Sequence, residues 1–123
     1  MKSMSQVGID HYHFDRYMYK QRWISLWHQL DEVQKLEPKK VLEVGPGNGL
    51  FKTVANLFDI RVETMDHDPQ LKPDYVGSIT AMPFSDSAYD VVCAFQVLEH
   101  LPYEDSLRAF RELARVCHRN VVI

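Results

Sequence analysis

Long hydrophobic runs are missing from this 123-residue chain. No apolar stretch approaches the ~20 residues that cross a bilayer. The opening MKSMSQVGID lacks the apolar centre of a secretory signal. Both points lead to the expectation of a cytoplasmic protein with no membrane partner. Cysteine is nearly absent. Cys93 sits in an apolar run and Cys117 follows a helical pattern, so a disulfide framework is not expected and a reducing compartment fits. Charge of one sign is lacking too. The count is 14 Lys and Arg against 17 Asp and Glu, a net charge of -3. A nucleic-acid surface usually raises the total, so no nucleic-acid partner is expected. Glycine is the most telling scarcity. The chain has 5 glycines, and three of them fall within Gly45–Gly49.

What is there reads as one domain with an N-terminal extension: residues 1–37 as an aromatic-rich segment and helix, residues 38–123 as the domain itself. Residues 1–10 read as mobile. Trp23, Leu26, Trp27, Leu30 and Val33 recur at three- and four-residue steps, which predicts one buried helix face with both tryptophans in the core. Pro38 ends that helix. After it the rhythm changes. KKVLEV, IRVETMD, DYVGSI, YDVVCAF and NVVI read as five strands. GLFKTVANLF and the stretch opened by Pro102 read as helices. Leu107, Phe110, Leu113, Ala114 and Val116 are the predicted apolar face of the second. Glu104, Asp105, Arg108, Arg111, Glu112 and Arg115 are its predicted solvated face.

Strands alternating with helices, joined by right-handed crossovers, predict a three-layer α/β fold. Its parallel sheet is doubly wound, in the order 3-2-1-4-5. Only about eight residues separate the second and third strands. A parallel crossover usually needs a dozen or more, so the third strand is expected to be barely formed. The fifth would leave an exposed edge through which a homodimer could form.

Ligands of open α/β sheets sit beyond the carboxyl ends of the strands. Gly45-Pro46-Gly47-Asn48-Gly49 lies there, after the first strand. Glycine lets backbone come within contact distance of a ligand, and the next helix offers free amides. A tight structural turn also favours glycine, so this loop alone decides little. Two carboxylates add to it. Glu43 lies within the last residues of the first strand, and Asp66 ends the second, where it can accept hydrogen bonds from ribose hydroxyls. The third glycine of a dinucleotide fingerprint is replaced by Leu50. An acid two residues before the loop suits a positively charged ligand. S-adenosylmethionine carries an ammonium and a sulfonium and no pyrophosphate.

VLEVGPGNG, TMDHDP, GSITAMPFSDSAYDVV and VLEHL, in this order, resemble the class I S-adenosylmethionine-dependent methyltransferases of the small-molecule type, over roughly Lys40 to Val116. The resemblance implies a Rossmann-like fold and methyl transfer to an unidentified small-molecule acceptor. It implies that Gly45, Gly47 and Gly49, with Pro46 and Asn48 between them, face the methionine half of the cofactor, which Glu43 helps to place. It puts Asp66 on the ribose, His67 beside the adenosine, Ser78 and Ile79 at the adenine ring, and Phe95 and Gln96 at the methyl group. The chain departs from the pattern in three ways. Ser78 stands where an acid is frequent, the helix between the second and third strands is missing, and five strands replace seven, so the domain reads as truncated at its C-terminal strands. A domain that binds the cofactor or a partner without chemistry is therefore the rival reading. A nicotinamide oxidoreductase is disfavoured by Leu50 and Glu43.

Other candidates are weaker. His11 and His13 alternate with Tyr12 and Phe14, but no further ligand is spaced to complete a metal site. The resemblance also implies an N-terminal lid, from which Tyr12, Tyr17, Tyr19 or Arg22 could touch cofactor or substrate. Glu99 and His100 could include a general base, or simply tie their loop to the next helix.

Overall fold

The computed structural model describes residues 9–123; the reading of residues 1–8 as mobile lies outside the described residues. Ile9–Tyr12 form a 3-10 turn, followed by a short helix α1 (Phe14–Tyr17) and the long α2 (Lys20–Lys35). Then come β1 (Val41–Val44), α3 (Leu50–Leu57), β2 (Val62–Asp66), β3 (Tyr75–Val76), β4 (Tyr89–Cys93), α4 (Tyr103–Val116) and β5 (Cys117–Val122). The sheet is parallel throughout, in the order β3-β2-β1-β4-β5. The predicted order is the observed one, and β3 is reduced to two residues, as its short connection requires. That connection holds one 3-10 turn, Pro69–Leu71.

Strand alternation sorts the core into two layers. Val41, Val62, Val91 and Cys93 point to one face, where Leu26 and Val33 of α2 and Phe51 and Ala55 of α3 cover them. Leu42, Val44, Met65 and Val92 point to the other, under Leu113 and Val116 of α4. The period of two therefore puts Glu43 on the same face as Val41, beneath α2 and α3. Cys93 and Cys117 are free thiols. Among the described residues no helix is long and apolar enough to cross a membrane.

Three expectations are corrected. Trp23 and Trp27 are not core residues; they are 49% and 59% exposed. Their helix stripe is broader than the contact with the sheet, and only its Leu26–Val33 edge is buried. On α4 the same happens: Leu107, Phe110 and Ala114 are exposed, while Ala109, Leu113 and Val116 are buried. Ala109, being small, lets the helix lie close to the strands. The polar face of α4 is also not uniformly solvated. Arg115 is bonded to Glu112 (Nε to Oε2, 2.6 Å) and donates to the carbonyls of Phe84 (2.8 Å) and Met82 (3.1 Å) and to Asp86 (2.9 Å). Glu112 in turn accepts the Met82 amide at 2.7 Å. The pair clamps the loop before β4 onto the helix. β5 begins directly after α4, three residues earlier than NVVI, with an irregular register between Tyr89 and Val91 of β4. Among the described residues its other edge is unpaired.

Candidate functional site

The first strand delivers its carboxylate into the protein, not into water. Glu43 is 4% exposed, and its Oε1 has no hydrogen-bond partner. Burial raises its pKa to about 8, against a smaller lowering by Lys52. A buried acid without a partner is costly unless a ligand completes it.

Beyond Val44 the chain enters three left-handed glycines, Gly45, Gly47 and Gly49. At Gly45 a Cβ would lie 2.6 Å from Val97 Cγ2, so the loop and the segment after β4 close on each other there. At Gly47 a Cβ would meet Tyr12 Cε1 at 3.0 Å and the Tyr17 hydroxyl at 3.4 Å. The N-terminal segment thus lies across the glycine loop. Its His11, Tyr12 and Tyr17 rings contact one another, with Tyr12 and Tyr17 centroids 5.0 Å apart. Burial raises the pKa of both phenols. Pro46 is buried, and Asn48 Oδ1 accepts the first amide of α3 from Leu50 at 3.2 Å.

Asp66 is 8% exposed at the tip of β2, with a pKa raised chiefly by burial. Its Oδ1 accepts the amide of Asp68 at 3.0 Å, and His67 Nδ1 lies 3.4 Å from the same oxygen. Ser78 Oγ pairs with Thr80 Oγ1 at 2.8 Å and accepts the Thr80 amide, shaping the turn that carries Ile79. At the tip of β4, Gln96 adopts a left-handed φ of 54°. A non-glycine residue held so is strained, a condition typical of functional loops.

These pieces surround two joined spaces. A cleft of about 540 Å³ is bordered by Gly45, Gly47, Asp66, His67, Ser78 and Ile79. A smaller cavity of about 240 Å³ is bordered by Glu43, Gly45, Pro46 and Arg22. Tyr17, Arg22, Gly45, Phe95 and Gln96 border both. The structure therefore brings together the residues singled out by sequence, apart from Asn48 and Gly49, which border neither space and shape the loop instead. His100 borders the larger cleft and Glu99 does not; Tyr19 borders the smaller one and Arg22 both. Val97 and Thr80 are additions. No sequence spacing announces them: Val97 packs on Gly45, which only the fold brings near, and Thr80 is hydrogen-bonded to Ser78 within a local turn.

Solved structures share this architecture. The PH0226 protein from Pyrococcus horikoshii OT3 superposes with a TM-score of 0.70 at 19% identity, covering 88% of this chain and 52% of its own. CalS10 from Micromonospora echinaspora, an amino pentose methyltransferase whose structure has SAM bound, gives a TM-score of 0.64 at 13% identity, covering 82% and 53%. A SAM-dependent methyltransferase from Thermotoga maritima gives 0.62 at 18%, covering 93% and 59%. The chain thus spans little more than half the length of these relatives. No curated protein sequence matches it significantly. A family described as a methyltransferase domain matches residues 42–123, two thirds of the sequence including both carboxylates and the glycine loop, and the chain belongs to that family.

Proposed function

We propose that the joined clefts bind S-adenosylmethionine and that the chain is the cofactor-binding part of a methyltransferase acting on a small-molecule acceptor. The observation that carries this reading is the Glu43 carboxyl, buried beside the glycine loop with its Oε1 unpartnered. A cation is what such a group lacks, and the cofactor's methionine end supplies one. The bound cofactor would provide a methyl group on a positive sulfur, so the acceptor would need little acid–base assistance.

The residues take separable parts. Asp66 accepts from the ribose hydroxyls, with its Oδ1 already oriented by the Asp68 amide. His67 stands beside the nucleoside, and Ser78 and Ile79 meet the adenine. Ser78 accepts more weakly than a carboxylate would. Gly45 and Gly47 bring backbone to the methionine half, and Pro46, Asn48 and Gly49 fix the loop's course. Phe95 and Gln96 border the position of the methyl group, and the Tyr12–Tyr17 pair excludes water from above the loop.

Calorimetry with S-adenosylhomocysteine tests the reading. Binding by the wild-type chain, weakened about 10–100-fold in Asp66→Asn, is expected. A melting temperature unmoved by saturating S-adenosylhomocysteine, or equal binding of NADH, overturns it.

A further inference from the structure

Helix α4 has two flanks of different use. Glu112 and Arg115 are tied to the loop before β4. Tyr103, Leu107, Phe110 and Ala114 recur at steps of three and four residues, and all are exposed. At about 100° per residue this stripe lies roughly 140° round the helix from the Glu112–Arg115 flank. The buried Ala109, Leu113 and Val116 lie between the two, on the sheet side. The loop covers the β1 and β2 side of the helix, where its Met82 shares a core cluster with Leu42, Val44 and Met65. The stripe therefore turns the other way, toward the outer edge of β5, which is unpaired among the described residues. An apolar helix flank and an open strand edge thus lie along one border of the sheet.

This border is complementary to itself. The spacing of the stripe is symmetric about its midpoint. In an antiparallel contact Leu107 meets the partner's Phe110, and the Tyr103 ring meets the small side chain of the partner's Ala114. Charge agrees with this. On the polar side of α4, Arg108 pairs with Asp105 and Arg115 with Glu112, but among the described residues Glu104 and Arg111 form no ion pair. Both are exposed beside the stripe, two turns apart. Antiparallel contact brings each Glu104 to the partner's Arg111, whereas parallel contact sets acid on acid. Spacing agrees as well. Leu113 and Val116 of α4 pack on Val92 of β4 and Val121 of β5, so the helix lies over both strands. A two-fold axis between two antiparallel β5 edges sets the α4 axes two strand spacings apart, about 10 Å, which is the distance of packed helices. The competing apolar patch, Trp23, Ile24 and Trp27 on α2, lacks such a match, because its neighbouring acid Asp31 is already paired with Lys35 at 2.9 Å.

We propose that α4 and the free edge of β5 form the interface of a two-fold homodimer. The two sheets join through antiparallel β5 strands, and α4 packs on α4 above the seam. Both cofactor clefts lie at the carboxyl ends of the strands. The antiparallel seam points them in opposite directions and leaves them open, so the inference does not depend on the cofactor reading.

Sedimentation equilibrium of the full chain tests it, with a dimer that dissociates on dilution as the expected result. Phe110→Glu, at an exposed position, is expected to weaken the dimer about 10–100-fold while the circular dichroism spectrum stays that of the wild type. Glu104→Arg should weaken it too, and adding Arg111→Glu to Glu104→Arg should restore it. Hydrogen exchange of β5 amides should slow as the dimer forms, because the seam pairs them. A wild-type chain that stays monomeric at high micromolar concentration overturns the proposal, and this measurement needs no variant to fold. A dimer unchanged by Phe110→Glu but lost in Trp23→Glu sits on α2 and overturns it. β5 amides that exchange equally fast in monomer and dimer overturn the joined sheet. A charge exchange that fails to restore the dimer overturns the antiparallel contact.

Discussion

Gly45 and Val97 are 52 residues apart in sequence, yet a single methyl group on Gly45 would come within 2.6 Å of Val97 Cγ2. Gly45 also holds a φ of 72°. Gly45→Ala therefore carries two penalties, a left-handed backbone and a clash, together about 2–4 kcal/mol of stability. Urea denaturation measures it. The double variant Gly45→Ala, Val97→Ala is expected to regain part of the loss by removing the clash, but not the backbone part. Full recovery would mean that the backbone conformation costs nothing.

Glu43 links stability to pH. Its folded pKa is raised to about 8, while the unfolded value is near the ordinary one of 4.5. Below pH 4.5 both states are protonated and the group sets no penalty. As pH rises from there toward 8, the unfolded chain ionises first, so the native state binds more protons and stability falls. The limiting slope is about 1.4 kcal/mol per pH unit. The stability difference between Glu43→Gln and wild type should thus move in favour of the variant across this window. A difference that stays flat between pH 5 and 8, measured by denaturation, would contradict the buried protonated acid.

Cofactor binding should reverse that protonation. An ammonium beside Glu43 favours its charged form, so binding near pH 7 releases protons. Calorimetry of S-adenosylhomocysteine in buffers of different ionisation enthalpy reads this directly. Uptake of protons would refute the pairing.

Two neighbours on α2 should behave oppositely. Leu26→Ala empties a buried position and is expected to cost about 2–5 kcal/mol. Trp23→Ala touches an exposed side chain and should stay within about 0.5 kcal/mol. Tryptophan emission should likewise change little on unfolding, because both indoles are already hydrated.

Arg115→Gln should lower the melting temperature by several degrees, since it leaves the carbonyls of Met82 and Phe84 without their donor. Arg115→Lys should not restore it, because a lysine cannot reach Glu112, Asp86 and two carbonyls from one planar fork. Recovery by lysine would show that charge alone holds the loop.

The contrast between α2 and the strands explains what could be read from sequence. A buried strand uses both of its faces, so VLEV needs only recognition to be placed, and the glycines and carboxylates at its end follow from the chemistry of strand tips. A helix with a wide apolar stripe offers several edges, and its period does not say which one meets the sheet. Trp23, Trp27, Leu107 and Phe110 lie on the edges left outside. The reach of Arg115 over about thirty residues, and the approach of Tyr12 to Gly47, are contacts between segments that no local pattern encodes. Arg22 reads from sequence as one candidate for a lid contact with cofactor or substrate; that its Nε is buried without a partner is set by the fold.

Asp74 adds a side-chain staple to the short ladder that joins β3 to β2. Its Oδ2 accepts Lys52 Nζ at 2.7 Å and the Thr64 amide at 2.9 Å, and its own amide donates to Thr64 Oγ1 at 2.9 Å. A two-residue edge strand with so short a ladder can open without the rest of the sheet. On the proposed binding mode, the wall beside Ser78 and Ile79 is therefore where the nucleoside would enter. Amides around Tyr75 and Val76 should exchange with heavy water long before those of β1, and the nucleoside should enter base-side last, its tail already seated in the rigid half.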